Sequence, residues 1–405
     1  MRIYVHDYAG HPFQVQLSRA LARRGHEVRH GFSSTNQTPQ GSLVRQAGDP
    51  ETFQPDPITL PHPIEKYDSS FRGFWARRKS EIEYGSLLIQ QVADFDPDVV
   101  LAANTPLDPL SALQGWCAQN NVRFVNWLQD LISVAAHRLL RRKLAFVGEF
   151  AGRIYLNLER RILKSSDAVV MITEDFRETL LRWNVEDEKL HMIENWAPIE
   201  QIPLRDKQNP WSEAFNLAQK RVFLYAGTLG MKHNPELLLN LALDWKDDDS
   251  VAVVVITEGI GKDWLREKKA EHTLENLVLL PYQPFDEMAD VLGAADVLVA
   301  ILEPDAGVFS VPSKVLTYLC AGKPVLLAVP TENLAARIVQ RTESGVVVPP
   351  TAPTAFVHEA RRLLSDETRR ATAGRNARRY AEETFGIDRI ADKFEKILRP
   401  RVGPV

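Results

Sequence analysis

The sequence is poor in cysteine, and it has neither a long apolar run nor an excess of charge of one sign. Its 405 residues include two cysteines, Cys117 and Cys320, which are far apart in apolar, helix-like surroundings. This spacing argues against a disulfide framework and a cysteine-based zinc site, and it favours buried thiols in a reducing compartment. No stretch of about 18 apolar residues is present, so we predict no membrane-spanning helix.

The charges nearly balance, with 49 lysines and arginines against 53 aspartates and glutamates, a net charge of -4. Such a chain has no global positive field to attract nucleic acid, so any anionic partner must be bound locally. The start, MRIYVHDYAG, lacks the basic region and apolar run of a secretory signal and is typical of a first strand. We therefore expect a soluble, cytoplasmic protein.

Short apolar runs alternate with helix-period stretches through the chain, and 44% of the residues are hydrophobic, which is an ordinary globular composition. The runs are continuous, as in parallel strands covered on both faces. A proline-containing polar segment at 195–211 interrupts the alternation and suits a linker between domains. This pattern predicts two doubly wound α/β domains, with ligands at the carboxyl edges of their sheets. A single large sheet is the structural alternative.

A glycine-containing turn follows the apolar run at 222–226, in the segment YAGTLGMKHNP. Gly227 and Gly230 allow main-chain N–H groups to approach an anion, and Lys232 adds a full positive charge. Asn234 and Pro235 are predicted as the N-cap and first residue of the next helix. The turn is equally typical of a βα connection that binds nothing.

A second turn of this kind lies in EPDAGVFSVPSKVLTYLCAGKPV, residues 303–325. The amides of 307–310, the hydroxyls of Ser310 and Ser313, and Lys314 form a plausible anion site. The alternative is an ordinary strand-loop-helix connection with Lys314 in solvent.

The chain resembles the retaining GT-B glycosyltransferases of family 4, in the group that handles polysaccharide or lipid-linked glycans, as in colanic acid and O-antigen assembly. The resemblance lies in LARRGHEV at 21–28, in YAGTLGMKHNPELLL, in ADVLVAILEPDAGVFSVPSKVLTYLCAGKPVLLA, and in the segments 165–196 and 385–398. It implies two Rossmann-like domains facing across a cleft, an acceptor domain at 1–200 and a donor domain at 201–382, with a helix at 383–405 crossing back.

The resemblance implies transfer of a sugar from a nucleotide-diphosphate sugar to a glycan or lipid-linked acceptor, with retention and without a metal or other cofactor. UDP is the nucleotide expected first, while GDP, ADP and dTDP stay open. The leaving phosphate is expected to assist departure of the acceptor proton. Two aspartate clusters, Asp96 with Asp98 and 247–249, are interpreted as polar caps rather than metal ligands.

The chain departs from the family pattern where two glutamates spaced E-x7-E hold the donor, because alignment places Phe309 and Thr317 there. Glu303 or Asp305 is a candidate substitute for one of these carboxylates. The family's donor-phosphate arginine corresponds to Thr228, so Lys314, or failing that His233, is expected to supply the missing positive charge. The complete predicted donor set is Gly227, Thr228, Gly230, Lys232, His233, Glu258, Tyr282, Gly307, Val308, Phe309, Ser310, Ser313, Lys314 and Thr317, with Lys232 and Lys314 also assigned to catalysis.

The predicted acceptor-binding residues follow strands of the first domain: Gly10, His11, Asn104 and Asp130. Asp130 is also the candidate catalytic group, which would orient or deprotonate the acceptor hydroxyl. The alternatives are that Asp130 caps the following helix and that the turn with His11 is a helix start without a ligand.

The segment 135–164 is strongly basic and contains interspersed apolar residues. Such a helix can lie on an anionic bilayer and bring a lipid-linked acceptor to the site, which would make the protein peripheral on the inner face of the membrane. It can equally pack one face on a core and expose the other to solvent.

Two rival functions share the predicted fold. One is a non-catalytic partner subunit, which the missing glutamates favour, and the other is a nucleotide-sugar epimerase or a phosphorylase. A dinucleotide-binding oxidoreductase is disfavoured because no G-x-G-x-x-G follows the first strand.

Overall fold

The computed structural model of the chain describes residues 1–35, 41–61, 71–230, 233–304 and 312–399. They form two compact units. Unit 1 comprises Met1–Glu194 together with Ile387–Val405, and unit 2 comprises Asn195–Gly386. Within the described ranges, no helix combines the length and the hydropathy of a membrane-spanning segment.

Unit 1 is built on a seven-stranded parallel sheet in the order β3-β2-β1-β4-β5-β6-β7. Its strands are β1 (Arg2–Asp7), β2 (Glu27–Ser33), β3 (Phe53–Ile58), β4 (Val99–Ala103), β5 (Arg123–Leu128), β6 (Ala168–Met171) and β7 (Leu190–Met192). Its helices are α1 (Pro12–Arg23), α2 (Phe71–Phe95), α3 (Leu107–Gln119), α4 (Ile132–Ser165), α5 (Arg177–Arg182) and, from the end of the chain, α14 (Ile387–Leu398).

Unit 2 is built on a six-stranded parallel sheet in the order β10-β9-β8-β11-β12-β13. Its strands are β8 (Arg221–Ala226), β9 (Val251–Ile256), β10 (Leu277–Leu280), β11 (Val297–Ile301), β12 (Val325–Ala328) and β13 (Gly345–Val348). Its helices are α6 (Pro210–Ala214), α7 (Glu236–Asp244), α8 (Ile260–His272), α9 (Met288–Gly293), α10 (Lys314–Cys320), α11 (Leu334–Thr342), α12 (Pro353–Ser365) and α13 (Glu367–Thr384).

The continuous apolar runs explain why both sheets are parallel and covered on both faces. Every residue of β4, β9 and β11 is buried, so these strands cannot alternate apolar and polar side chains. Burying each large aliphatic side chain stabilises the fold by roughly 1.5–3 kcal/mol. The predicted doubly wound α/β class is confirmed, and the alternative of a single large sheet is wrong.

The strand order of each sheet reverses at one position. In unit 1 the strands after β1 are added on one side of it, and the strands from β4 onward are added on the other side, so the order reverses between β1 and β4. In unit 2 the order reverses between β8 and β11 in the same way. Loops that leave such neighbouring strands in opposite directions open a crevice at the carboxyl edge, which is where α/β sheets bind ligands.

Helix α4, which contains the basic segment 135–164, does not run straight. Its first turn bonds to its last third: Glu159 accepts the N–H groups of Ile132 and Ser133, both at 3.1 Å. A straight helix would separate Ser133 from Glu159 by about 39 Å. The chain therefore folds back between Leu140 and Gly148, and we call this pair of helical arms, 132–165, the α4 hairpin.

Two glycines allow the arms of the α4 hairpin to approach closely. A Cβ atom on Gly148 would overlap the carbonyl oxygen of Leu140, and one on Gly152 would overlap His137. His137 Nε2 also lies 3.0 Å from Glu149 Oε2 across the hairpin. Amphipathic periodicity cannot show such a reversal, because both arms keep the helical repeat.

Candidate functional site

Several of the predicted site residues lie at the two positions where the strand order reverses. Gly227 and Thr228 follow β8, and Lys314 opens the helix after β11. Gly10 and His11 follow β1, and Asn104 follows β4. Each unit therefore presents a candidate site at the edge of its own sheet.

Lys314 is held at the β8–β11 edge by a buried tyrosine and does not extend into solvent. Its Nζ atom donates to the hydroxyl of Tyr225 at 2.5 Å and lies 3.7 Å from the centre of the Tyr225 ring. An ammonium group over an aromatic face gains electrostatic stabilisation. The arrangement fixes a positive charge beside the first turn of the predicted donor site.

Gly227 is needed for this arrangement on two grounds. Its φ of 134° is one that residues with a side chain rarely adopt. A Cβ atom at this position would lie 3.0 Å from both Cε and Nζ of Lys314. The backbone can approach the ammonium group because this residue has no side chain.

Tyr225 connects Lys314 to the rest of the turn. Burial raises the pKa of Tyr225 well above its ordinary value, so the hydroxyl keeps its proton. It donates that proton to the carbonyl oxygen of Thr228 at 2.7 Å while accepting from Lys314. Sequence reasoning missed Tyr225 because a tyrosine inside an apolar strand is typical of a core residue.

Three other predicted donor residues, which follow β8, β9 and β10, lie close to one another. The Thr228 hydroxyl is 3.1 Å from the hydroxyl of Tyr282, and burial raises the pKa of Tyr282 while Thr228 and the backbone of Glu258 lower it. The Glu258 carboxylate forms an ion pair with Lys262 at 2.8 Å. The structure thus brings Thr228, Glu258 and Tyr282 to one place.

His233 is poorly suited to supply the missing positive charge. The ring nitrogen Nδ1 of His233 accepts the backbone N–H of Gly230 at 3.2 Å. The backbone N–H of His233 donates to the Gly230 carbonyl at 3.1 Å. An imidazole nitrogen that accepts a hydrogen bond carries no proton, so this histidine is neutral in the observed arrangement. Of the two candidates named from the sequence, Lys314 fits the cationic role.

Helix α7 begins one residue later than predicted. Pro235 occupies its N-cap position, and the Asn234 side chain accepts the N–H of Glu236 at 3.0 Å. Ser313 precedes Lys314 at the N-cap position of α10, and Thr317 lies one turn further along that helix. The predicted residues Lys232, Gly307, Val308, Phe309 and Ser310, together with Asp305, lie outside the described residues.

In unit 1, the centre of the candidate site is a buried carboxylate, Asp7, at the end of β1. It accepts the N–H groups of Ala9, at 3.2 Å, and of His11, and it lies 3.1 Å from the His11 ring nitrogen Nδ1. Gly10, with a φ of 73°, closes the turn by donating to the Asp7 carbonyl at 3.1 Å. Asn104 reaches the cluster from β4, with its amide nitrogen 3.3 Å from His11 Nδ1.

Asp7 keeps its charge although it is fully buried. Burial by itself raises the pKa of this carboxyl, but His11, through charge and hydrogen bonds, and His30 outweigh that effect and leave the pKa below its ordinary value. The sequence places Asp7 four residues before His11, but nothing in that spacing marked Asp7 as the organising group.

Asp130, the predicted catalytic carboxylate, follows β5 and lines a cavity of about 80 Å³. Asn104, Asn126 and Glu159 line the same cavity. Burial raises the pKa of Glu159 to about 7 despite its hydrogen bonds from Ser133 and Ile132, and the charge of Asp130 adds to the rise. Glu159 caps the start of α4 by accepting the N–H groups of Ile132 and Ser133. Sequence reasoning missed this residue because it is distant along the chain.

The two aspartate clusters considered for metal binding make other contacts. Asp98 accepts the N–H of Arg2 at 2.7 Å, and Asp248 accepts the N–H of Ser250 at 3.0 Å and pairs with Arg221 at 2.9 Å. In the part of the chain that the structure describes, no three side chains of His, Cys, Asp or Glu are grouped as potential metal ligands.

Two family models match the chain, and together they span most of it. Residues 11–196 match the glycosyl transferase 4-like domain, and residues 207–380 match the glycosyl transferases group 1 model. The first match lies in unit 1 but for its last two residues, and the second lies in unit 2.

The chain is also similar to curated glycosyltransferases. It is 27% identical over 269 residues to WbjE of Pseudomonas aeruginosa, assigned as a glycosyltransferase, covering 65% of this chain and 62% of that protein. It is 22% identical over 245 residues to WcaI of Escherichia coli K12, assigned to colanic acid biosynthesis, covering 60% and 59%. Both alignments span less than two thirds of the relative's length.

A solved structure with the same fold is HepE of Anabaena in complex with UDP-glucose. Its TM-score against this chain is 0.71 at 16% identity, and the alignment covers 98% of this chain and 99% of that chain. At this identity the likeness concerns the fold.

Proposed function

This chain belongs to family 4 of the GT-B glycosyltransferases, and we propose that it transfers a sugar from a nucleotide-diphosphate sugar to a glycan or lipid-linked acceptor in cell-surface polysaccharide synthesis. The pathway is supported by the similarity to WbjE and WcaI. UDP is the nucleotide we propose first, because HepE, which shares the fold, was solved with UDP-glucose.

The observation that carries the proposal is the ammonium group of Lys314 at the β8–β11 edge, fixed by Tyr225 and beside Gly227. A nucleoside diphosphate gains negative charge as it leaves the sugar, and a fixed positive charge stabilises that charge without reorganisation. Charge-assisted contacts to phosphate are about twice as strong as neutral ones. Lys314 therefore stabilises the leaving group in the proposed reaction.

The turn after β8 and the residue Tyr282 after β10 supply the neutral part of the proposed donor site. Gly227 gives the backbone access to a phosphate, and the hydroxyls of Thr228 and Tyr282 offer hydrogen bonds to donor oxygens. We propose transfer with retention and without a metal, as in the family. No enzyme nucleophile is then required, and the rate depends on positioning and on charge stabilisation.

The acceptor hydroxyl is proposed to bind at the edge of the unit 1 sheet. His11 and Asn104 lie together there, and Asp130 lines a cavity that Asn104 shares. Polar side chains that converge at a strand-order reversal are typical of a site that orients a small polar group.

The experiment that tests the donor site measures UDP affinity by calorimetry for the wild type, Lys314→Met and a control, Lys268→Ala. Lys268 is a lysine of the same unit, paired with Glu271 on α8. Losing one charge-assisted contact of about 1.5–3 kcal/mol weakens binding about 10- to 100-fold in Lys314→Met and leaves the control unchanged. Equal UDP affinity in all three proteins would contradict the proposal.

A non-catalytic partner subunit is the second candidate, favoured by Thr317, which stands on α10 where the family has a carboxylate. The two candidates differ in turnover. A transferase releases UDP from a UDP-sugar in an acceptor-dependent manner, whereas a partner subunit binds UDP and releases none.

We propose that the α4 hairpin attaches the protein to an anionic membrane surface. Its described part exposes Phe150 and Ile154, with 70% and 51% of their surface accessible. The same hairpin also exposes Arg138, Arg141 and Arg153. Apolar side chains flanked by cations are the chemistry that inserts at an anionic lipid interface.

Membrane attachment is tested by co-sedimentation with phosphatidylserine-containing and pure phosphatidylcholine vesicles. The wild type is expected to sediment with the anionic vesicles alone. Phe150→Ser/Ile154→Ser is expected to lose most of that binding. Equal binding of this variant and the wild type would remove the proposal.

A further inference from the structure

A second cavity of unit 1 has a volume of about 480 Å³ and is lined by residues of helix α14 and of the edge strand β7. Pockets that bind small molecules have volumes of about 300–1,000 Å³, so this cavity has the size of such a pocket. All of its lining residues belong to unit 1. None of them is among the predicted donor or acceptor residues, so the proposed function leaves the cavity without a role.

The lining of this cavity is strongly basic. Lys393 and Lys396 on α14, Arg399 directly after that helix, and Arg123 at the start of β5 all contribute to it. No aspartate or glutamate among the described residues lines the cavity. Four cationic side chains therefore line one cavity in a chain whose net charge is -4. A cleft lined by charge of one sign focuses its field on ions of the opposite sign.

Helix α14 keeps its acidic side chains away from these lysines. Arg24 pairs with Asp392, and with Glu395 at 3.3 Å, so the acidic groups are engaged by the end of α1. Lys393 and Lys396 are three residues apart, a spacing that places both side chains on the same face of a helix. In the part of the chain that the structure describes, neither lysine forms an ion pair with a carboxylate. Their charge therefore remains available to a ligand.

The two arginines are held at the cavity by other groups. Arg399 pairs with Glu395 at 2.8 Å. Arg123 donates to the Ile397 carbonyl from Nε at 3.3 Å and from Nη2 at 3.1 Å. The inference therefore rests on the two lysines, whose ammonium groups bind phosphate as point charges.

Apart from His191, the other lining residues are apolar. Leu190, Ile193 and Ile397 are buried, and Met192 is half-buried. An apolar wall lowers the local dielectric, and this strengthens the attraction between an ammonium group and an anion. The wall also offers a surface for the uncharged body of a ligand. The cavity thus combines a charged part with an apolar part, as small-molecule sites do.

We propose that this cavity binds a small molecule that bears a phosphate group, with Lys393 and Lys396 on the phosphate and Leu190 and Met192 against the body of the molecule. A phosphate monoester carries about two negative charges at neutral pH, which the two ammonium groups match. The phosphate belongs to a soluble molecule or to a lipid headgroup, and both present the same chemistry to the lysines. The proposal does not depend on transferase activity.

The test follows the methyl resonance of Met192 in protein labelled with ¹³C-methyl methionine, because this side chain lines the cavity. The resonance is identified by its loss in Met192→Leu. Pyrophosphate is the soluble probe, and monomeric dihexanoyl phosphatidic acid is the headgroup probe. Titration of the wild type with each probe is expected to shift this resonance, and the shift gives the affinity at the cavity itself rather than at the proposed donor site.

The same titrations are made with Lys393→Gln/Lys396→Gln and with a control, Lys246→Gln/Lys268→Gln, which removes the same charge from unit 2. The first variant is expected to bind about 100-fold more weakly or worse, since each lost charge-assisted contact weakens binding about 10-fold or more. The control is expected to keep the wild-type affinity. Both cavity lysines are exposed, so their replacement is expected to leave the fold intact, which thermal unfolding checks.

The inference is overturned if neither probe shifts the Met192 resonance, or if Lys393→Gln/Lys396→Gln binds as tightly as the wild type. A response to phosphatidic acid alone assigns the site to a lipid headgroup, and a response to pyrophosphate assigns it to a soluble phosphate. Because neither UDP binding nor UDP release is measured, these results are independent of the proposed function.

Discussion

At the scale of single residues, the two candidate sites differ in how they handle charge. Lys314 rests on a tyrosine whose hydroxyl stays protonated, and this contact holds its positive charge at the edge of the sheet. Asp7 is surrounded by N–H donors, which keep a buried carboxylate charged. The first arrangement is suited to an anion, and the second fixes the orientation of the His11 ring.

Glu159 makes stability depend on pH, because burial raises its pKa from 4.5 to about 7. The folded protein then holds a proton that the unfolded chain has released, so the free energy of unfolding falls as the pH rises from about 4.5 to about 7. Glu159→Gln is expected to remove up to about 3 kcal/mol of this decline. Urea denaturation of both proteins at several pH values measures it, and parallel pH profiles would contradict the assignment.

At the scale of elements, the helices carry information that their periodicity hides. The strands could be predicted because continuous apolar runs are typical of parallel sheets, but the α4 hairpin could not, since its contacts join Ser133 to Glu159. Its first arm begins directly after Asp130. The α4 hairpin therefore contributes both to the predicted acceptor edge and to the exposed apolar side chains.

Gly148 provides a test of the α4 hairpin. Gly148→Ala is expected to destabilise the protein by about 2 kcal/mol or more, since the added Cβ would overlap the Leu140 carbonyl oxygen. Gly115, inside α3, is the control, because a Cβ there meets nothing within 4 Å. Gly115→Ala is expected to stabilise by about 0.5–1 kcal/mol. Thermal unfolding of both variants measures the difference, and similar effects would exclude a close crossing of the arms.

At the scale of the whole molecule, the sequence was informative about the class of fold and less so about the site. The sequence predicts Thr228, Glu258 and Tyr282 as donor-binding residues, and the structure brings them together. Tyr225 could not be placed in the site, because a polar group in a buried strand has no sequence signal that separates a ligand-holding role from a core role. Contacts that cross the sheet decide that role.

Unit 1 depends on the last helix of the chain. Phe394 of α14 is fully buried, with its ring centre 4.7 Å from that of Trp127. Arg24, after α1, pairs with Asp392 and donates to the Asp388 carbonyl at 2.7 Å. Truncating Phe394 thus leaves a cavity against β5.

Phe394→Ala is expected to lower the free energy of unfolding by about 3–5 kcal/mol. Lys393→Ala, an exposed neighbour on the same helix, is the control and should change it by less than about 0.5 kcal/mol. Guanidinium denaturation followed by tryptophan fluorescence measures both, and equal stability of the two variants would show that α14 does not complete the core.

The discontinuous make-up of unit 1 has a consequence for biosynthesis. A ribosome that has finished Glu194 must add about 200 more residues before α14 is complete, which takes roughly 10–40 s at ordinary elongation rates. During that interval unit 2 can be synthesised while the surface of unit 1 that α14 covers, which includes Trp127, remains exposed. Nascent chains stalled in this window are therefore the form in which the protein most needs a chaperone.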